Sequence, residues 1–195
     1  MNANIQKISN LTKFVALLIG TIVIVLIWVT SVNAQAQLTE QSKLAIDGIG
    51  PIRVGMTVEE ASRSAGIRLI KLGRPGPDDY QCFYVQPQGE PKGIKFMITN
   101  ARIARVDIDN RQITTIKGAK IGDTENRILS LYPGQIQATP HPYVGAPPRN
   151  GKYLTFVPKD AKDKNYRIIF ETSANLVTSF RSGKLPEVEA IEGCA

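Results

Sequence analysis

The chain has a single histidine and two cysteines among 195 residues. That scarcity excludes most zinc sites, which draw three or four ligands from these two residue types. It also leaves any histidine-dependent catalytic arrangement resting on His141 alone. Gly-x-Ser-x-Gly, Ser-x-x-Lys and His-Glu-x-x-His are all missing, so no nucleophile or zinc-hydrolase signature marks an enzyme. The first 34 residues contain no acid, and Lys7 and Lys13 are their only charges. No cysteine follows the apolar run in that segment, which excludes anchoring through a lipid-modified cysteine. What remains is an ordinary globular composition, 43% hydrophobic and 21% charged, unlike a disordered or collagen-like chain.

Phe14 to Val29 runs without a charge, and Val32-Asn33-Ala34 offers small or β-branched residues at the −3 and −1 positions of a cut after Ala34. A positive start, an apolar centre and such a site read as a secretory signal peptide over residues 1–36. At ~1.5 Å per residue the apolar centre spans ~24 Å, short of the ~30 Å hydrocarbon layer. Counted through Val32 it just reaches, so an uncleaved N-terminal anchor over residues 14–32 is the alternative. Both readings put the remainder outside the cytoplasm: periplasmic or secreted in one case, tethered to the inner membrane in the other. Residues 37–47 are polar without a strong period and read as a linker or a short leading helix.

The sequence then repeats. Ile52-Arg53-Val54-Gly55-Met56-Thr57 aligns with Ala119-Lys120-Ile121-Gly122-Asp123-Thr124. Each copy enters a short helical pattern. Thr57 with Glu60 has the form of a capping box, and Gly66 supplies the stop. Thr124 is the second N-cap, with Ile128, Leu129 and Tyr132 on one face. Apolar runs follow at 82–85, 94–98 and 102–108 in one copy, and at 153–157, 166–170 and 176–181 in the other, with polar turns between. A unit of about 65 residues buries little alone. The expectation is therefore an α+β fold: two tandem helix-plus-antiparallel-sheet repeats, residues 48–114 and 115–195, forming one compact body. Residues 185–194 alternate loosely and read as a short C-terminal strand.

Cys82 and Cys194 form an even pair, read as a disulfide in an exported chain. CxxC spacing, which would favour redox chemistry, does not occur. The bridge brings the tail back onto the first unit.

Two long loops are the candidate contact surface, since loops on a rigid scaffold often carry binding. One is the Pro/Gly-rich stretch 139–151, with His141, Tyr143 and Arg149 as candidate binding residues. Its counterpart, 67–81, carries the acidic pair Asp78 and Asp79. Asp107, Asp109 and Asn110 hint at a calcium loop, but Arg111 and Gln112 break its register, so no metal is expected. Glu171, on a strand, is expected to pair with Arg181 or Arg105. Gly48-Ile49-Gly50 lacks the context of a phosphate loop and reads as a turn. No cofactor is expected.

The net charge is +7, and beyond residue 34 there are 22 basic against 17 acidic side chains. Aromatic residues are not interleaved with that charge as on an RNA-stacking surface, so nucleic acid is not an expected partner. Anionic lipid head groups or acidic polymers suit it better.

The motif Ile52-Arg53-Val54-Gly55-Met56-Thr57-Val58-Glu59-Glu60-Ala61, echoed by Lys120-Ile121-Gly122-Asp123-Thr124, resembles small exported α/β repeats. Such repeats occur in the outer-membrane-assembly lipoproteins of the BamE/SmpA type and, in tandem, in the β-lactamase inhibitory protein. The ending Val188 to Cys194 is similar to that of secreted bacterial proteins of this kind. The resemblance covers roughly 48–195 and implies helices packed on an antiparallel sheet, with binding rather than catalysis as the role. The leading expectation is an exported binding module for a protein or envelope polymer, not an enzyme. The alternative is a membrane-tethered envelope assembly or structural factor.

Overall fold

A computed structural model of the chain describes residues 37–73 and 81–194. The leader or anchor expected over residues 1–36, and the pair Asp78 and Asp79, lie outside the described residues. Among the described residues no helix is long and apolar enough to cross a membrane.

Strands are the main regular structure of the body. Lys43–Ala45 (β1), Gly48–Ile49 (β2) and Ile52–Arg53 (β3) form a small sheet with Thr114–Thr115 (β8), in the order β3-β2-β1-β8. Leu69–Lys71 (β4), Cys82–Pro87 (β5), Ile94–Thr99 (β6) and Arg102–Ile108 (β7) join Ile136–Pro140 (β9), Lys152–Phe156 (β10), Tyr166–Ser173 (β11) and Leu176–Lys184 (β12). These eight form one sheet in the order β4-β5-β6-β7-β12-β11-β10-β9. The described helices are Val58–Ala65 (α1) and Glu125–Leu131 (α2).

This architecture corrects the expected α+β fold of two helix-plus-sheet repeats. The chain is mostly β, in a four-stranded and an eight-stranded sheet, with two short helices. Two physical reasons account for the difference. First, β7 pairs with β12 from Arg105↔Gly183 to Ile108↔Phe180, so the ladder runs unbroken through the middle of the large sheet. Second, the small sheet draws on both supposed units and on the supposed linker: β1, within 37–47, pairs in parallel with β8. Leu44 at its centre is fully buried. Strands of two or three residues are too short to show a period of two.

Local rules explain the elements that were legible. Thr57 accepts the Glu60 N–H while the Glu60 carboxylate accepts the Thr57 N–H, closing the capping box on α1. Gly66 ends that helix at φ 66°, in the left-handed region glycine favours. Thr124 caps α2 by accepting the Arg127 N–H. The acid of α2 is used differently. Buried Glu125 accepts from Lys152 Nζ at 2.6 Å and from the Thr172 hydroxyl at 2.8 Å, tying the helix start to β10 and β11. Both central hairpins have two-residue loops, Asn100-Ala101 and Ala174-Asn175, with positive φ at every loop residue. That conformation matches the twist of the flanking strands.

Strand alternation gives the large sheet two unlike faces. One face carries Phe96, Val106, Ile108, Phe180 and Phe170, all at most 1% exposed. It packs under the small sheet and the helices, with Leu44, Ile49, Ile52, Ala61, Ala65 and Ile128 completing the main core. The other face is largely polar.

Candidate functional site

Register places the polar face. Lys95 on β6 stands opposite Asp107 on β7, and Asp107 opposite Arg181 on β12. Glu171 on β11 stands opposite Ser179 on β12 and Tyr153 on β10. Met97 opposes both Arg105 and Tyr84. These residues alternate with the buried apolar ones, so they share the face turned away from the main core.

Two arginines organise this face, and both are buried. Arg105 Nε reaches both Asp107 oxygens at 3.0 Å, and its Nη2 donates to the Tyr84 hydroxyl at 2.9 Å. Arg181 Nη1 pairs with Glu171 and lies with its guanidinium carbon 5.2 Å from the centre of the Tyr153 ring. The expected partnership of Glu171 is therefore with Arg181. A buried ion is tolerated only when paired and hydrogen-bonded, and the C-terminal segment accepts from both arginines. Arg105 Nη1 donates to the carbonyls of Glu187 at 3.2 Å and Ala190 at 2.6 Å, and Arg181 Nε donates to that of Val188 at 2.7 Å.

The tail is not the strand its alternation suggested. Glu187–Glu189 form one 3-10 turn, closed by the Glu189 N–H donating to the Pro186 carbonyl at 3.0 Å. The turn drops Val188 into a small apolar cluster with Tyr153, Ile169 and Leu185, separate from the main core. The tail ends in the expected Cys82–Cys194 disulfide, with the two Cα atoms 5.3 Å apart.

The loop residues singled out in the sequence fall at the rim of this face. His141 stacks on Tyr153, ring centres 4.5 Å apart, and its Nε2 lies 3.8 Å from the Glu171 carboxylate. Its Nδ1 accepts the Tyr143 N–H, so in the neutral ring the proton sits on Nε2, facing that carboxylate. Tyr143 donates its hydroxyl to Glu192 in the tail. That bond to a carboxylate, more than anything else, raises the phenol above its ordinary value. Arg149 is apart from this group. Its side chain is exposed, and its carbonyl accepts the Ala174 N–H at 2.6 Å.

Beside the tail the face stays open. A cleft of about 550 Å³ lies over Tyr84, Lys95, Arg105 and Asp107 and reaches both cysteines. A second, of about 270 Å³, continues over Lys95, Asp107, Ser179, Glu171 and Arg181. Lys95 is shared by both, is exposed, and makes no ion pair among the described residues. Burial, followed by the charge of Asp107, pushes the Tyr84 phenol up to about 12. Tyr84 therefore stays neutral at physiological pH.

No family model matches the chain, and no curated protein does. Among solved structures, it is similar to the uncharacterized protein yfeY from Escherichia coli, at 17% identity and a TM-score of 0.45, over 73% of this chain and 99% of that one.

Sequence reasoning missed Lys95, Arg105, Tyr84, Ser179 and Tyr153 as one surface. They come from five strands, and only the register brings them together. The available signal was local: Arg105 and Asp107 flank Val106, and Ser179 and Arg181 flank Phe180, so in each strand two polar residues stand two apart around an apolar one.

Proposed function

We propose that this chain is an exported, non-catalytic binding module that takes a protein or envelope polymer along the polar face of its large sheet. The observation that carries the reading is Lys95: an exposed cation that makes no ion pair among the described residues, at the junction of two clefts floored by the pairs Arg105–Asp107 and Arg181–Glu171. Arg105 with Asp107 and Arg181 with Glu171 are held rigidly, and a preorganised surface spends less ordering entropy on a ligand. His141 and Tyr143 form the rim. Export is supported by the apolar run 14–29 with its small-residue cut site and by the disulfide.

The test is a crosslinked capture from envelope extract with the full, disulfide-bonded chain beside Lys95→Glu and His141→Ala. Lys95→Glu keeps the melting temperature, because the side chain is exposed. It is expected to lose the ligand that the wild type retains, while His141→Ala weakens retention. Equal capture by wild type and Lys95→Glu, or no capture by either, contradicts the proposal.

A further inference from the structure

Residues 185–194 close part of the outer face of the large sheet. They contribute no ladder strand. They are held by three carbonyls taken by Arg105 and Arg181, the Thr99 hydroxyl and Lys184 on Glu187, the Tyr143 hydroxyl on Glu192, the Leu185 N–H on the Asn165 carbonyl, the buried anchor Val188 beside half-buried Leu185, and the disulfide. At Gly193 the tail lies directly on Tyr84: a Cβ there would be 2.6 Å from the phenol oxygen. The arginine contacts read main-chain carbonyls rather than side chains. They would serve any extended segment that carries a valine-sized anchor, and acids such as Glu187, Glu189 and Glu192 suit a face that presents the exposed Lys95. The latch is also within reach of a partner, because Cys82 and Cys194 both line the wall of the 550 Å³ cleft.

We propose that residues 185–194 are a releasable strap filling a peptide channel floored by Arg105 and Arg181, and that opening the Cys82–Cys194 latch frees this channel for an extended acidic peptide in trans. The inference rests on the reading of this face as a binding surface. The opening reaction is thiol–disulfide exchange with a dithiol. One of its thiolates attacks a cystine sulfur to form a mixed disulfide, and its second thiol resolves that bond. Two electrons and two protons pass to Cys82 and Cys194, which become thiols, and the dithiol becomes a disulfide. While the latch is shut, the tail is held at the channel by its tether and outcompetes a free peptide.

The experiment uses the full chain and a labelled peptide of residues 185–193, read by fluorescence anisotropy. Val188→Asp combined with Cys194→Ser removes both the anchor and the latch. This variant is expected to keep the far-UV circular dichroism of the wild type and to bind the peptide at least ten-fold tighter than the oxidised wild type does. A peptide with aspartate in place of the valine is expected not to bind. A folded double variant that binds no better than wild type overturns the proposal, and so does a double variant that unfolds, because the tail is then part of the fold. The second readout keeps the tail and the latch as they are in the wild type: the Tyr84 phenol is titrated by ultraviolet absorbance in wild type against Tyr84→Phe. On reduction with dithiothreitol the midpoint is expected to fall from about 12 toward the ordinary ~10 with the circular dichroism unchanged. A midpoint that stays at about 12 overturns the latch. If Lys95-dependent capture persists while both of these arms fail, only the strap is lost and the binding module stands.

Discussion

The two faces of the eight-stranded sheet are made by the same strands, residue by residue in alternation, yet they are closed by different means. The inner face is covered by whole elements, the small sheet and two helices, through apolar contact. Phe96, Phe170 and Phe180 are fully or almost fully buried there, and Phe170 stacks between Tyr132 and Phe180. The outer face is covered in part by ten residues of tail, through guanidinium–carbonyl bonds, one apolar anchor and one covalent link. Apolar burial is non-directional and scales with area, so it suits a face that never opens. Polar contacts to a main chain depend on geometry and can be exchanged for another chain at similar cost. Side-chain parity alone thus gives one sheet a face closed by apolar packing and a face closed largely by polar contacts.

That contrast can be broken most severely from the inside. Phe180→Ala is expected to lower unfolding free energy by about 3–5 kcal/mol, the usual range for a buried phenylalanine, as measured by urea denaturation. Next in size is Cys82→Ser under oxidising conditions, expected to cost about 2–5 kcal/mol because the bridge closes a loop with a sequence separation of 112. Its expected signature is a lower denaturation midpoint with the inner face still packed, seen as unchanged amide protection in β6, β7, β11 and β12 below the transition.

A smaller effect separates the faces by pH. Burial raises the Glu187 carboxyl, but this is outweighed by its own backbone N–H, the Thr99 hydroxyl and Lys184, so Glu187 sits below the ordinary carboxylate value. Its contribution is therefore present above the unfolded value near ~4.3 and is lost as pH falls through the lower folded value. Acid melting of wild type against Glu187→Gln is expected to show a pH-dependent loss in the former that is reduced in the latter. The smallest effect is a gain: Ala101→Gly relieves φ 60° at a non-glycine and is expected to add about 0.5–1 kcal/mol. No gain would mean that the hairpin relaxes elsewhere.

Much of the inner face was legible. Thr57 and Thr124 announced both helices, the apolar runs announced the longer strands, and the two cysteines announced their bridge. The fold class was not, because β1, β2, β3 and β8 are only two or three residues long and gain their order from partners distant in sequence. The tail's alternation suggested a strand, but Val188 faces inward from a 3-10 turn, whose pitch also buries one residue in three. The outer face was legible only in part. His141 and Tyr143 stood out by type and loop context, and Arg181 and Arg105 stood out only as alternative partners of Glu171, whereas Lys95 is unmarked until the β6–β7–β12 register sets it on the same face.

The most direct test of the central claim, that one face is permanent and the other separately closed, is amide hydrogen exchange of the full chain before and after reduction of Cys82–Cys194. The account predicts that protection is lost across residues 185–194 while β6, β7, β11 and β12 remain strongly protected. Tail amides that keep their protection, or strand amides that lose theirs together with the tail, would contradict it.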